Sequence, residues 1–441
     1  MLDMTQGNPS KLILRFAFPM ILGNIFQQVY NLVDTIVVGK FIGADALAAV
    51  GSSFSIIVFI TSIIIGLAMG AGIIFAQFYG AKEFDKFKES AITSIIFIGV
   101  VTIILMFISI IGIDLILKLF KMPQELLLYC KNYLIIILYG LVFTFIYNIA
   151  TALLRAVGDS KRPLYFLLIA SIINVVLDLL FVIKFGLGVK GVALATIIAQ
   201  GVSAILAMIY VYNKLSFLRF NIKDIKIKKE NFKLVAKYSI LTSLQQSIMN
   251  FGILIVQGLV NTFGATVMAA FAAGAKIDSF AYMPVQDFGN AFSTYVAQNK
   301  GAEKDERILE GIKSAIKTII IFCIIVSSLI LLFSENIMLL FINKNNTEVI
   351  SLGVEYISIV AIFYVLIGFL FMFYGLYRGI GNLNMSIILT IVSLGTRVIL
   401  AFLLSSTVLG PRGIWFSIPI GWALADILGF YGYKKLNRNK K

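Results

Sequence analysis

Long apolar segments separated by short polar ones follow one another along the whole chain. Most of them exceed the roughly 18 consecutive apolar residues that are typical of a membrane-spanning helix. Hydropathy predicts about twelve such spans, and the short alternating segments that build a β-barrel are not evident. The predicted limits are 11–39, 46–80, 90–113, 128–157, 162–184, 190–212, 232–261, 267–300, 312–333, 350–379, 384–407 and 413–436. The pattern therefore predicts an all-α polytopic membrane protein.

Composition agrees with this class and narrows the chemistry. Of the 441 residues, 60% are hydrophobic and only 13% are charged. The sequence has no histidine, and its two cysteines, Cys130 and Cys323, lie far apart. These counts exclude His/Cys metal sites and Cys–His catalysis, so we expect no enzyme, no metal site and no cofactor apart from a coupling ion.

The net charge of +15 would suggest nucleic-acid binding in a soluble protein. Here the lysines and arginines concentrate in alternate connecting loops, which is the positive-inside pattern of cytoplasmic loops. We therefore expect both termini to be cytoplasmic and no nucleic-acid partner. The basic segment 214–231 is interpreted as a cytoplasmic linker, with anionic-lipid or nucleic-acid binding as the alternative.

The sequence repeats itself at a spacing of about 222 residues, close to half its length. The matching pairs are Gly43–Ala49 with Gly264–Ala270, Gln77–Ala81 with Gln298–Ala302, Arg155–Asp159 with Arg378–Asn382, and Gly191 with Gly413. Six spans per repeat is an even number, so the two copies share one orientation. We predict an N-lobe at 1–213, the linker at 214–231 and a C-lobe at 232–441, with substrate sites between the halves.

The first span carries a polar stripe inside an otherwise apolar helix. Asn24, Gln27, Asn31 and Asp34 fall on one face at helical spacing. A carboxylate in hydrocarbon costs roughly 2.5–3.5 kcal/mol on insertion scales, so this face is predicted to point at a bundle interior or a wet cavity. Pro19 removes one backbone hydrogen bond earlier in the span and is predicted to act as a hinge.

The fifth span carries a second intramembrane carboxylate, Asp178, with Asn174 one turn before it. Two acids with amide neighbours suit a proton or sodium site, because a carboxylate desolvated beside another exchanges protons near neutral pH. We predict a cation-coupling site of Asp34, Asp178, Asn174 and Asn31. The alternative is that these polar side chains only pack helices together.

The second repeat lacks both acids, because Ile255 and Ala401 stand at the matching positions. Its first span has amides instead, which either line a cavity or pack helices. Asp287 is interpreted as a substrate contact or as the partner of Arg397, and the roles of Lys276 and Asp278 stay open. Asp426 and Glu355 are expected near span ends. The predicted cavity residues are Gln27, Asn148, Gln246, Asn250, Gln257 and Asp287.

These residues resemble the multidrug and toxic-compound extrusion (MATE) transporters along essentially the whole chain. The resemblance is carried by Asn31–Thr35, Gly43, Ala46–Gly51, Gln77 with Gly80–Ala81, Arg155 with Gly158–Asp159, Asn174 with Asp178, and Gln298–Ala302. It is closest to the bacterial and archaeal branch whose acid pair lies in the N-lobe. It implies two six-helix lobes forming a V-shaped central cleft, and it implies cation-coupling or substrate roles at Asp34 and Asp178 with a bend at Pro19.

The leading interpretation is a secondary antiporter that exports amphipathic, mostly cationic compounds in exchange for protons or sodium. The alternative in the same superfamily is a lipid-linked oligosaccharide flippase. Such a flippase would prefer a cationic cavity, and Lys276 with Arg397 supplies only a hint of one. An intramembrane enzyme would need histidine, a Ser/Lys dyad or paired acids with a metal, and none is evident. We expect a monomer in the plasma membrane of a prokaryote.

Overall fold

The computed structural model describes residues 2–120, 122–219 and 228–438, with side chains described up to residue 435. Within these ranges the chain forms helices and turns but no strand, as the all-α prediction requires. The first eight helices are α1 (Pro9–Phe41), α2 (Ala44–Gly80), α3 (Phe84–Ile111), α4 (Ile113–Leu119), α5 (Leu127–Tyr139), α6 (Leu141–Ala156), α7 (Lys161–Leu179) and α8 (Gly188–Lys214). The other seven are α9 (Lys229–Asn261), α10 (Ala265–Gly301), α11 (Asp305–Met338), α12 (Thr347–Ala361), α13 (Tyr364–Gly379), α14 (Leu383–Ser405) and α15 (Pro411–Arg438).

Every predicted span coincides with one of these helices or with a bent helix pair. In the described ranges, nine helices are long and apolar enough to cross a membrane, and the pairs α5–α6 and α12–α13 raise this number to eleven. The twelfth, α10, has 37 residues. It falls below that apolar threshold because it carries Lys276, Asp278 and Asp287 in its interior. The two bent pairs, with angles of 43° and 52°, were not predicted.

The internal repeat is visible in the backbone as well as in the sequence. Glycines at matching positions share the left-handed conformation, with φ of 81° at Gly158 and 83° at Gly381. The same holds at the helix starts that follow Gly43 and Gly264, where φ is 126° and 89°. The two bent pairs also occupy matching places in the two halves. The chain therefore builds one six-span unit twice, in the same order, as predicted.

The chain divides into two compact units. One comprises residues 1–3 and 18–247, and the other comprises residues 4–17 and 248–441. Each unit thus includes the first turns of a long helix whose remainder belongs to the other unit. The lobe boundaries predicted at 213 and 232 stay a prediction, and residues 220–227 of the predicted linker lie outside the described residues.

Hydrogen bonds account for the place of residues 4–17 in the second unit. The backbone N–H of Met4 donates to the Gln298 side chain over 3.0 Å, and Asn299 donates back to the Met4 carbonyl over 3.0 Å. Lys304 donates to the carbonyl of Thr5 over 2.9 Å. The segment before α1 therefore satisfies several of its backbone groups with side chains from the end of α10 and the turn after it.

Candidate cation-coupling site

The two carboxylates predicted to act together meet in the first unit. Asp34 lies in the second half of α1, and Asp178 lies near the end of α7. Their carboxyl groups are within hydrogen-bonding reach of each other. Asp178 is fully buried, and neither of its oxygens has a donor partner among the described residues. A hydrogen bond between the two carboxyl groups therefore requires a shared proton.

Local packing explains why these two helices meet here. Val37 and Val38, one turn beyond Asp34, are buried in an apolar cluster. The same cluster contains Val182, one turn beyond Asp178, and Tyr133 from α5. Burial of these apolar side chains holds α1, α5 and α7 together directly beside the two acids.

Helix α7 changes its geometry immediately after Asp178. Residues Leu180–Lys184 form a π-helical turn, and the N–H of Phe185 donates to the carbonyl of Leu180 over 3.1 Å. Such turns widen a helix by one residue and frequently occur at functional sites. Here the turn brings Val182 onto the cluster that also holds α1.

Asn174 completes the buried part of the predicted site. It lies one turn before Asp178 on the same face of α7 and is only 2% exposed. Neither polar atom of its side-chain amide has a hydrogen-bond partner among the described residues. Asn31 lies one turn before Asp34 on α1, and its side chain is half-buried. An unpaired buried amide beside two carboxyl groups is a polar site that a proton, water or cation would satisfy.

Two tyrosines that were not predicted lie beside the site. Tyr30 lies one turn before Asp34, interacts electrostatically with both acids, and forms a hydrogen bond with Gln27. Tyr133 on α5 also interacts with both acids and with Tyr30. Tyr30 could have been predicted from the sequence, because it lies four residues before Asp34 and therefore on the same face of α1. Tyr133 comes from a third helix, and nothing in its sequence position indicates where it points.

The remaining predicted cavity residues divide between the two units. In the first unit, Gln27 is exposed on α1, and Asn148 donates to the carbonyl of Thr144 over 2.8 Å. Gln246 on α9 is half-buried. In the second unit, Asn250 is half-buried, Gln257 donates to Asn261 over 2.9 Å, and Asp287 is buried. Their role in substrate binding stays a prediction.

The second unit has its own buried acid centre around Asp278. The hydroxyl groups of Tyr356 and Tyr364 donate to its two carboxylate oxygens. Arg397 interacts electrostatically with Tyr356, Asp278 and Tyr282, and its pairing with Asp287 stays a prediction. Lys276, two residues away on α10, is exposed.

The expectation that Asp426 lies near a span end is wrong, because it is 4% exposed in the interior of α15.

The geometry of the first site limits the chemistry that it can support. Two buried carboxyl groups side by side cannot both carry a charge without a large electrostatic cost, so we expect the pair to bind and release protons as one unit. The pair can hold a shared proton or a small cation, and the surrounding tyrosine hydroxyls and Asn174 amide can hydrogen-bond to either form.

Comparison with known proteins agrees with this architecture. The MatE family model matches residues 19–180 and 239–403. The probable multidrug resistance protein YpnP of Bacillus subtilis (strain 168) is 29% identical over 435 residues, which cover 98% of this chain and 96% of that protein. The probable multidrug resistance protein YoeA of the same organism is 30% identical over 436 residues, which cover 97% of this chain and 93% of that protein.

Among solved structures, an outward-facing multidrug resistance MATE family transporter of the MOP superfamily aligns with a TM-score of 0.93 at 26% identity. The alignment covers 100% of this chain and 98% of that one. Both repeats are matched by the family model, and the relatives span almost the whole length. The protein is thus a multi-pass membrane transporter that belongs to the MATE family of multidrug efflux proteins, and it is not an enzyme.

Proposed function

We propose that the protein is a secondary antiporter that exports amphipathic, mostly cationic compounds, driven by inward flow of protons or sodium ions through Asp34 and Asp178. The observation that carries the proposal is the carboxyl pair itself. Asp34 and Asp178 lie within hydrogen-bonding reach on two different spans of the first unit, beside an unpaired buried amide. Intramembrane acids in such a setting are typical of ion pathways.

Exchange follows from competition for one negative charge. When the pair takes up a proton, a new O–H bond forms on a carboxyl oxygen and the site loses its charge. An organic cation held by that charge is then released, and loss of the proton restores the attraction. Because proton and substrate oppose each other's binding by the same coupling free energy, an inward proton gradient can drive outward export.

The substrate class is supported by the relatives and by the polar residues that line the helices. Both Bacillus subtilis relatives are probable multidrug resistance proteins. Gln27, Asn148, Gln246, Asn250, Gln257 and Asp287 are proposed as substrate contacts. Amides suit varied substrates because they both donate and accept hydrogen bonds.

Pro19 is proposed as the hinge that links conformational change to the site. It lies inside α1 and is buried. Helix α1 passes from the second unit to the first between Ala17 and Phe18, directly before this proline. A bend there would move Asp34 relative to the anchored residues 4–17, because proline removes a backbone hydrogen bond that otherwise stiffens the helix.

The distribution of basic residues supports an orientation with both termini in the cytoplasm, in the plasma membrane of a prokaryotic cell, and we propose a monomer as the transporting unit. No specific feature favours the oligosaccharide flippase. Of the two basic residues that hinted at a cationic cavity, Arg397 interacts electrostatically with the buried acid Asp278.

The test is gradient-driven export in proteoliposomes. Purified protein is reconstituted, a proton gradient or a sodium gradient is imposed separately, and efflux of a fluorescent organic cation is recorded. We expect Asp34→Asn and Asp178→Asn each to reduce the gradient-dependent component strongly. Asp85→Asn is the matched control, because Asp85 is an exposed acid of the same unit. Unchanged gradient-driven export in Asp34→Asn would refute the coupling role, and the gradient that drives export identifies the ion.

A further inference from the structure

The second unit contains a buried carboxyl group that the proposed coupling site does not use. Asp426 lies near the middle of α15 and is 4% exposed. Neither carboxylate oxygen has a hydrogen-bond partner among the described residues. At the matching position of the first repeat, about 222 residues earlier, stands the fully buried Ala204. The first unit therefore has no counterpart of this group.

Helix α14 presents a stripe of hydroxyl side chains to the interior beside α15. Ser386, Thr390 and Ser393 follow one another at helical spacing, and each is at most 3% exposed. The close approach of the two helices is marked at Gly421, where a Cβ atom would lie 2.4 Å from the carbonyl oxygen of Ser393. Asp426 lies five residues after Gly421 on α15, about 140° further around the helix, so its link to the hydroxyl stripe has to come from another helix.

Tyr374 connects Asp426 to this stripe. It comes from α13, is buried, and interacts electrostatically with Asp426. Its side chain also forms a hydrogen bond with Thr390, whose hydroxyl donates to the carbonyl of Ser386 over 2.9 Å. Hydroxyl groups both donate and accept, so they can solvate a carboxyl group in either protonation state.

No basic group in the described part of the chain forms an ion pair with Asp426. From α13, Arg378 donates to the carbonyl of Tyr374 over 3.1 Å and to Asn290 over 3.0 Å. From α14, Arg397 interacts with Asp278 instead.

Two further titratable groups on the neighbouring helices are engaged elsewhere. The carboxylate of Glu355 on α12 pairs with Arg412 at the start of α15. The hydroxyl of Tyr377 on α13 donates to the carbonyl of Gly429 over 2.7 Å. An ionised Asp426 would therefore lack a compensating partner in its present surroundings.

We propose that Asp426 is a proton-binding site of the second unit, separate from the Asp34–Asp178 pair. Uptake of one proton forms an O–H bond on a carboxyl oxygen and removes the buried charge. The proton returns to water when the packing of α13, α14 and α15 opens and the ionised carboxylate becomes hydrated. A metal cation is a poorer occupant, because Asp426 is the only acidic side chain that the described residues bring to the site, and Arg378 donates to the carbonyl of Tyr374.

Infrared spectroscopy tests the proposal, because only a protonated carboxyl group shows the carbonyl stretching band of an acid. The full chain carrying Asp34→Asn and Asp178→Asn is placed in lipid nanodiscs and titrated with pH, which removes the signal of the first site. The other acidic side chains also show such bands when they are protonated, and among all of these bands we expect one pH-dependent band that belongs to Asp426. Adding Asp426→Asn should abolish it, whereas adding Asp278→Asn, at another buried acid of the unit, should leave it in place.

Two results would overturn the proposal. One is the absence of any band that depends on Asp426. The other is a band that stays constant over the whole pH range in which the protein remains folded, since the proton would then never exchange. Asp426→Glu guards against misfolding of the asparagine variant, because it retains a carboxyl group and should show the band at a shifted frequency. The infrared readout does not depend on transport. Failure of this proposal can therefore be distinguished from failure of the proposed antiport function.

Discussion

Lys82 and Glu303, about 221 residues apart at the ends of α2 and α10, share the same left-handed backbone conformation, with φ of 60° and 57°. This conformation is uncommon for residues other than glycine. The N–H groups of both residues bond back to the preceding helix, Lys82 to Tyr79 and Glu303 to Lys300. The repeat therefore conserves backbone geometry where the side chains differ in charge.

The buried acids do not follow this repeat. Asp34 and Asp178 match Ile255 and Ala401, whereas Asp426 matches Ala204. Asp278 matches an isoleucine, Ile57. The duplicated scaffold therefore carries different ionisable groups at different places in its two units, and the predictions below treat the units separately.

In the second unit, the Asp278 centre should depend on its two tyrosine donors. Tyr356→Phe or Tyr364→Phe removes one hydroxyl group and leaves a buried carboxylate oxygen without its donor, which typically costs about 1–3 kcal/mol. We expect a lower thermal unfolding temperature in detergent for each variant. Tyr139→Phe is the control, because this tyrosine is 55% exposed. Equal stability of all three variants would contradict the assigned hydrogen bonds.

In the first unit, the close packing of α2 against α9 should leave no space for a side chain at Gly70. A Cβ atom there would lie 2.3 Å from the carbonyl oxygen of Tyr238 and 2.7 Å from the Cα atom of Ser239, both on the backbone of α9. Gly70→Ala should therefore destabilise the protein by about 1–3 kcal/mol, the usual cost of overpacking. The readout is the thermal unfolding temperature.

Gly51→Ala on the same helix is the matched control, because no atom lies within 4 Å of its added Cβ. Alanine is favoured over glycine in a helix by up to about 1 kcal/mol, so this variant should unfold at the same or a higher temperature. A Gly70→Ala protein as stable as Gly51→Ala would mean that α2 and α9 are farther apart than described.

At the start of α9, the ammonium group of Lys228 lies 2.9 Å from the carboxylate of Glu89. This carboxylate raises the pKa of Lys228. The ion pair is therefore fully formed below the ordinary lysine pKa and is lost as pH rises through the raised value. In Glu89→Gln, the pKa of Lys228 should fall, and more of the reactive neutral amine should be present at mildly alkaline pH.

The measurement is the pH profile of Lys228 acylation by an amine-reactive reagent, followed by mass spectrometry. The profile of Lys228 should shift to lower pH in Glu89→Gln. Lys233, an exposed lysine of the same helix, should keep its profile in both proteins. A shift at both lysines would indicate a general change in exposure rather than loss of one ion pair.

Much of the fold could be predicted because apolar periodicity identifies helices, and matched anchors identify the repeat. The polar stripe on α1 also predicted that Asp34 faces away from lipid, and Asp178 proved to be its neighbour. Periodicity shows which face of a helix is polar but not which helix meets that face. For this reason Tyr133 on α5 and the burial of Asp426 could not be predicted.

The bends between α5 and α6 and between α12 and α13 escaped prediction for a related reason. The hydropathy of each span is continuous across its break, and neither break contains a proline. The transfer of residues 4–17 to the second unit depends on hydrogen bonds to Gln298 and Asn299, which are almost 300 residues away in sequence. Local sequence patterns carry no information about such long-range contacts.

The carboxyl pair in the first unit should behave as one functional group. Because Asp34 and Asp178 share a proton in the proposed mechanism, removing either side chain already destroys the shared site. Asp34→Asn and Asp178→Asn should each reduce gradient-driven export by at least about tenfold, and the double variant should lose no more than either single variant. Two independent carboxyl groups would instead give a double variant whose loss is the product of the two single losses. Initial export rates of the four proteins, measured under one proton gradient with Asp85→Asn as the control, distinguish these outcomes.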